Sequence, residues 1–213
     1  MRSMKRFVLF HLQEHYSLYV FVSVLLLMGV IFGAVIVNSL TLVQKQDLLN
    51  YLSRFFGEVS NGSFADPKDM FSQSYSHYIK YILVMWILGL SVIGLPVILV
   101  MLFIKGVVIG FTVGFLVNQM GWHGFLLAFV SVLPQNLILV PGLIVAAAAS
   151  ILFSIKMIRQ QFWKKSSEPF FPKFFKYSAL IITVGLFLAV ASAFEAYLSP
   201  WLMEVVMSLK SSK

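Results

Sequence analysis

Long apolar runs separated by short polar or basic stretches dominate the chain. They are too long for strands and too continuous for one-sided surface helices. A helix of about 20 apolar residues crosses the hydrocarbon core of a bilayer. Five segments meet or approach that requirement: 16–37, 81–104 with Pro96 inside it, a short one at 106–118, one within 125–154, and 177–198. Residues 125–154 are too many for one straight crossing, and Pro134 and Pro141 interrupt them. The main crossing is therefore expected at 137–154, preceded by a half-helix at 125–133. The pattern predicts an all-α polytopic transmembrane bundle of about five spans, with the fourth span broken. The chain divides into an N-terminus at 1–15, one membrane domain at 16–200 and a tail at 201–213.

The two longer polar stretches are 38–80 and 155–176. Within the first, Leu48, Leu49, Leu52, Phe55 and Phe56 recur at helical spacing, with Lys45, Asp47 and Arg54 expected elsewhere on the helix. Asn61-Gly62 then reads as a turn. Such an amphipathic helix either lies on the membrane surface or offers a face to a partner, with Leu48, Leu52, Phe55 and Phe56 as the candidate contact.

Composition agrees with a membrane solvent. Of 213 residues, 60% are hydrophobic and 11% charged, against about 25% charged in soluble domains. The net charge of +8 does not point to nucleic acid, because most of the cations flank apolar runs, as topology determinants do. Arg2, Lys5, Arg6, Lys105, Lys156, Arg159, Lys164, Lys165, Lys173 and Lys176 fall on one side of a five-span arrangement, with Lys105 in the turn after the second span. That side is expected to be cytoplasmic. The N-terminus and residues 155–176 then lie inside, and residues 38–80 and the tail outside. A re-entrant hairpin over 106–133 would put the cation-rich loop outside, which the charge rule opposes. Although Arg2, Lys5 and Arg6 resemble the start of a secretory signal, the run at 16–37 is longer than a signal core and lacks a small-residue cleavage site. It reads as a retained span.

Small residues recur four apart in several spans: Gly29 and Gly33; Gly106, Gly110 and Gly114; Gly142, Ala146, Ser150 and Ser154; Gly185, Ala189 and Ala193. This spacing lets helix backbones approach closely. Gly106, Gly110 and Gly114 are the leading candidate for a packing seam, either within the bundle or between copies of a homo-oligomer.

Candidate chemistry is sparse. The chain has no cysteine, so thiol nucleophiles, disulfides and thiolate metal sites are excluded. His11, His15, His77 and His123 lack metal-ligand spacing, and no H-E-x-x-H, G-x-S-x-G or phosphate-loop motif occurs. No enzyme, cofactor or metal site is expected. The polar features at membrane depth are Glu195, near the outer end of the last span, and the interruption at Pro134, Gln135, Asn136 and Pro141. Prolines free backbone carbonyls, and freed backbone is tolerated only in protein or beside a wet cavity. The interruption is thus either a stabilised kink or, in a permease-like bundle, a pathway.

Several stretches together resemble the stage II sporulation protein M family of endospore-forming bacteria. They are His11-Leu-Gln-Glu-His15, Met28-Gly-Val-Ile-Phe-Gly33, Ile93-Gly-Leu-Pro96, Phe103-Ile-Lys-Gly106, Gly110-Phe-Thr-Val-Gly-Phe-Leu116, Val132-Leu-Pro-Gln-Asn-Leu137, Ser167-Glu-Pro-Phe-Phe-Pro172 and Phe194-Glu-Ala-Tyr-Leu-Ser-Pro200. Where the wider family tends to carry Pro-His-Gly-x-x-Glu, this chain has Pro134-Gln135-Asn136-Leu137-Ile138-Leu139. It retains Glu195, Ala196 and Pro200 of the Glu-Ala-x-x-x-Pro element. The resemblance implies a multi-pass protein of the bacterial cell membrane, on the mother-cell side of the sporulation septum. It further implies a non-enzymatic scaffold for septum migration and engulfment, which recruits and anchors two peptidoglycan-degrading partners, sporulation proteins D and P.

Overall fold

A computed structural model describes residues 15–60, 66–163 and 170–198, and the side chains of Phe55, Phe56 and several residues near helix ends lie outside it. The basic residues Arg2, Lys5 and Arg6, the Asn61-Gly62 turn, Lys164, Lys165, Pro200 and the tail are outside the described residues.

The first helix, α1 (Tyr16–Ile36), has 21 residues, a length of about 32 Å that matches the hydrocarbon core. Its buried face is narrow and ends in two glycines: Tyr19, Val22, Leu26, Gly29 and Gly33. Its exposed face carries Phe21, Val24, Met28, Ile31, Phe32 and Val35. Large apolar groups pointing outward, with glycines where the helix meets its neighbour, is the arrangement lipid permits and water does not.

A short 3-10 turn (Val37–Ser39) leads to α2 (Leu42–Ser60). A reciprocal cap starts α2: Gln44 N–H donates to Thr41 Oγ1 at 3.3 Å, and Thr41 N–H donates to Gln44 Oε1 at 3.0 Å. Helix α3 (Pro67–Gly89) starts with Asp66 accepting from Lys68 N–H at 3.1 Å and with Pro67 in the first turn. After a turn at 90–93 comes α4 (Gly94–Ser131), which reverses direction at Gly121, with φ 55° and ψ −128°. Only glycine adopts that conformation without strain. Then follow α5 (Leu133–Trp163), α6 (Phe170–Ala193) and a π-helical turn (Phe194–Leu198).

The passes alternate in direction. Gly29 packs beside Gly106, Gly33 beside Val107 and Phe111, and Ala34 beside Gly114. Positions thus advance together, so α1 and the first part of α4 run parallel. The contact Tyr81 OH to Met101 O, at 2.5 Å, and the tight turn between them make α3 antiparallel to α4. Gly142 against Leu188 and Ser150 against Tyr177 make α5 antiparallel to α6. Past Gly121 the chain folds back on α4 and continues into α5. Lys156, Arg159, Lys173 and Lys176 lie towards the end of the bundle where α3 turns into α4.

Helix α5 is the hub and touches α1, α3, α4 and α6. Its run Ala146–Ala149 is buried, as are Leu139, Leu143, Ser150, Ile151 and Ser154. Alanine and serine are small enough to let helices close in from several sides.

Among the described residues, four helices are long and apolar enough to cross a membrane: Tyr16–Ser39, Gly94–Ser131, Leu133–Arg159 and Phe171–Tyr197. Helix α3 runs among them, but its first half carries Lys68, Asp69 and His77, and Lys80 follows just past the middle. The segments expected at 81–104 and 106–118 are redistributed. The real turn is at 90–93, so α3 ends before Pro96 and the next pass starts at Gly94. Gly94 lies directly against the backbone of Leu88, which leaves no room for a Cβ. Pro96 sits in the first turn of α4, where its missing N–H has no helical partner. Lys105 accordingly belongs to the interior of α4 and not to an inner turn.

The expected fourth span is interrupted by one residue, Val132, just ahead of Pro134. Pro134 cannot donate the bond that would continue the preceding helix. Pro141 does not break α5, which runs through it; its ring faces away from the bundle. On α2, Lys45 lies one turn before Leu48 and Leu49 and so on their side, not elsewhere on the helix as expected. Asp47, Asn50 and Arg54 are exposed.

Candidate functional site: a charged cluster inside the bundle

Three passes bring one ionisable or polar group each to a common point. Tyr78 of α3 is buried, and its hydroxyl donates to Glu195 Oε2 at 2.6 Å. Lys105 of α4 stands over the Tyr78 ring, its Nζ 5.8 Å from the centroid. The Lys105 ammonium and the Glu195 carboxylate, of opposite charge, both meet the Tyr78 side chain. Tyr78 thus lies between a cation on its face and a carboxylate on its hydroxyl, and both contacts suit its charge distribution.

The cluster lies well inside the bundle. Lys105 is about 17 Å along α4 from its first residue. An isolated charge at such depth is expensive, and paired charges there mark function or specific assembly. The π turn sets Glu195 in place. The last helix widens at Phe194–Leu198, and single π turns commonly occur where a side chain must be re-aimed. Ala196, beside Glu195, is buried.

Sequence reasoning named Glu195 but missed its partners. Lys105 was taken as a boundary because charge next to glycine looks like a turn. Nothing else in Phe103-Ile-Lys-Gly106 signals one, whereas Ser91 and Gly94-Leu-Pro96 do. Tyr78 lies in the polar half of α3, outside the segment expected to span.

A second polar network closes the other end of α3. The hydroxyl of Tyr177 donates to the Trp86 carbonyl at 3.1 Å. Its only proton is thereby used, so Ser150 Oγ, 2.8 Å away, is the donor to Tyr177. Ser154 donates to the Ser91 carbonyl at 2.9 Å, and Trp86 Nε1 to Ser178 Oγ at 3.1 Å. The Trp86 carbonyl at the end of α3 is therefore satisfied by a side chain, and those of Ile87 and Leu88 by the turn amides of Leu90 and Ser91. This network is structural.

The glycine seam is used within the chain. A methyl at Gly106 or Gly110 would strike the Leu26 or Val30 carbonyl of α1, and one at Gly114 would lie 3.0 Å from Ala34 Cα. These glycines therefore pack α4 on α1 and do not offer a free face to a second copy. Gln135 and Asn136 occupy the first turn of α5. Asn136 Nδ2 donates to the Val132 carbonyl at 2.7 Å, while its buried Oδ1 accepts nothing. Neither residue meets Glu195, so the polar candidates form two places rather than one. Leu48 and Leu52 lie on α2, which makes no extensive contact with the bundle helices among the described residues. Among those residues no three His, Cys, Asp or Glu side chains come together as a metal site.

The architecture is that of a polytopic helical membrane protein. A family model described as stage II sporulation protein M matches residues 22–200, and the chain belongs to that family. No curated protein and no solved structure matches it.

Proposed function

We propose that the chain is a non-enzymatic scaffold of the sporulation septum, required for septum migration and forespore engulfment. In this reading it crosses the membrane five times, with its N-terminus inside and its tail outside. It holds two peptidoglycan-degrading partners, sporulation proteins D and P, at the outer surface. The family match over residues 22–200 carries the proposal. Helix α2 supports it: it starts with its own cap, stands apart from the bundle and exposes Leu42, Val43 and Tyr51. A helix that can form without the bundle is suited to meeting another protein. The charged cluster would then hold α3, α4 and the π turn in register beneath the outer surface.

Co-purification tests the contact. Replacing Leu48 and Leu52 by Asn, alone and with Phe55 and Phe56 replaced by Ser, should abolish recovery of proteins D and P while the chain accumulates normally. Undiminished recovery at normal accumulation would remove α2 as the contact. Normal septal placement of both partners in cells lacking the chain would remove the scaffold role.

A further inference from the structure

We infer that the outward face of α3 seats a membrane-spanning helix of another protein, one that carries a carboxylate opposite Lys80. The buried face of α3 is Tyr78, Ile82, Met85 and Gly89. The opposite side is exposed, and its character changes halfway along. Towards the turn at 90–93 it presents Leu83, Val84 and Ile87, which lipid can cover. Towards the start of the helix it presents Lys80, Ser76, Gln73 and Asp69, with His77 at the edge, all of them exposed. These positions are three or four apart and form one stripe.

Lys80 lies about 14 Å from the last residue of α3 and about 20 Å from its first, near the middle of the pass. Beside it, Tyr81 bonds the Met101 carbonyl of α4. Around that level α4 exposes Val100, Ile104 and Val108, as a helix in lipid does. Ionisable side chains at such depth almost always face a bundle interior or a wet cavity and are paired. Lys80 instead points outward, and among the described residues no ion pair or hydrogen bond engages the side chains of Lys80, Ser76 or Gln73. An acyl chain offers them no acceptor, so lipid suits Leu83 and Ile87 but not the stripe above them. The occupant must supply acceptors, with negative charge at the level of Lys80. A second copy of this chain does not. Two copies in one membrane pair about an axis along its normal, which sets each residue level with itself, so Lys80 would meet Lys80. Glu195, the carboxylate of the last span, is already held by Tyr78. A helix from a different chain, with Asp or Glu at mid-span, meets every requirement. The inference rests on α3 being one of the five crossings proposed above, and on neither the scaffold role nor α2.

The probe is a Leu/Ala transmembrane peptide with one Glu at its centre, compared with the same peptide carrying Leu or Lys there. The full chain, labelled through Asn50→Cys, is reconstituted with dye-labelled peptide in phospholipid vesicles, and energy transfer reads their association. The Glu peptide should associate and the Leu and Lys peptides should not. Lys80→Met should weaken association about 5- to 30-fold, and Lys80→Arg should retain it. Lys80 is exposed, so neither substitution opens a void in the bundle. Equal transfer for the Glu and Leu peptides would overturn the inference, as would transfer unaffected by Lys80→Met. Disulfide-linked pairs of single Val84→Cys chains would overturn it in favour of a second copy. Binding that appears only after removal of residues 201–213 would overturn it in favour of the chain's own tail. Rapid labelling of Lys80→Cys in vesicles by a membrane-impermeant thiol reagent would place the stripe in water, which overturns the inference together with the crossing by α3. Protection of Lys80→Cys without Glu-peptide binding would overturn the inference alone.

Discussion

Replacing Gly33 by alanine adds one methyl group where the structure has no space for it. The new carbon would overlap the Val107 carbonyl of α4 and stand 2.8 Å from the Phe111 nitrogen. Both obstacles are backbone, so no side chain can swing aside and the two helices must separate. Restoring ordinary contact takes roughly 1 Å, and a gap of that size forfeits a quarter to a half of the dispersion attraction locally. Overpacking of this kind costs about 1–3 kcal/mol. The upper half of that range applies here, because lipid offers no hydrophobic drive to pull the helices back. Gly33→Ala and Gly110→Ala should each lose about 2–3 kcal/mol, a 30- to 150-fold shift of the folding equilibrium. Gly57→Ala is the control: a methyl there meets nothing within 4 Å, and alanine should gain about 0.5–1 kcal/mol within a helix. Reversible unfolding in mixed detergent, analysed by linear extrapolation, measures the differences. Gly33→Ala and Gly110→Ala within 0.5 kcal/mol of the parent would refute backbone contact between α1 and α4.

Glu195→Leu should destabilise the bundle by about 1–3 kcal/mol, since it leaves Lys105 and the Tyr78 hydroxyl uncompensated. Adding Lys105→Met should recover much of that loss, and a double-mutant cycle by the same unfolding assay measures the coupling. Tyr177→Phe should cost about 1–3 kcal/mol by orphaning the Trp86 carbonyl and Ser150, with Ser150→Ala alone costing less. Gly121→Ala should cost about 1–3 kcal/mol through backbone strain, although a methyl there meets nothing within 4 Å. Pro141→Ala should leave stability unchanged or higher, because α5 already runs through Pro141; a thermal-shift series of single variants checks both substitutions.

The membrane character and helical class were legible because lipid-facing helices must be apolar all round, and runs of that length have no other use. The small-residue ladders were legible too, since their spacing of four needs only a straight helix. Boundaries were less so. Lys105 beside Gly106 looked like a turn, yet a charge can sit within a bundle when an aromatic ring and a carboxylate receive it. Tyr78 and Glu195 are 117 positions apart, and no local pattern brings such residues together. Pro134 and Pro141 looked alike in sequence. One interrupts the helical path because it falls where a bond must continue, and the other is absorbed because it faces outward. Lys45 was misplaced because an amphipathic face was drawn from its apolar members alone.

With the N-terminus inside, as proposed, the alternating passes would put α2 outside and the basic end of α5 inside. Single cysteines at Asn50 and Arg159, probed in intact cells with a membrane-impermeant thiol reagent, test it most directly. Asn50→Cys should be labelled at once and Arg159→Cys only after permeabilisation. Labelling of Arg159→Cys in intact cells with Asn50→Cys protected, or of both equally, would contradict it.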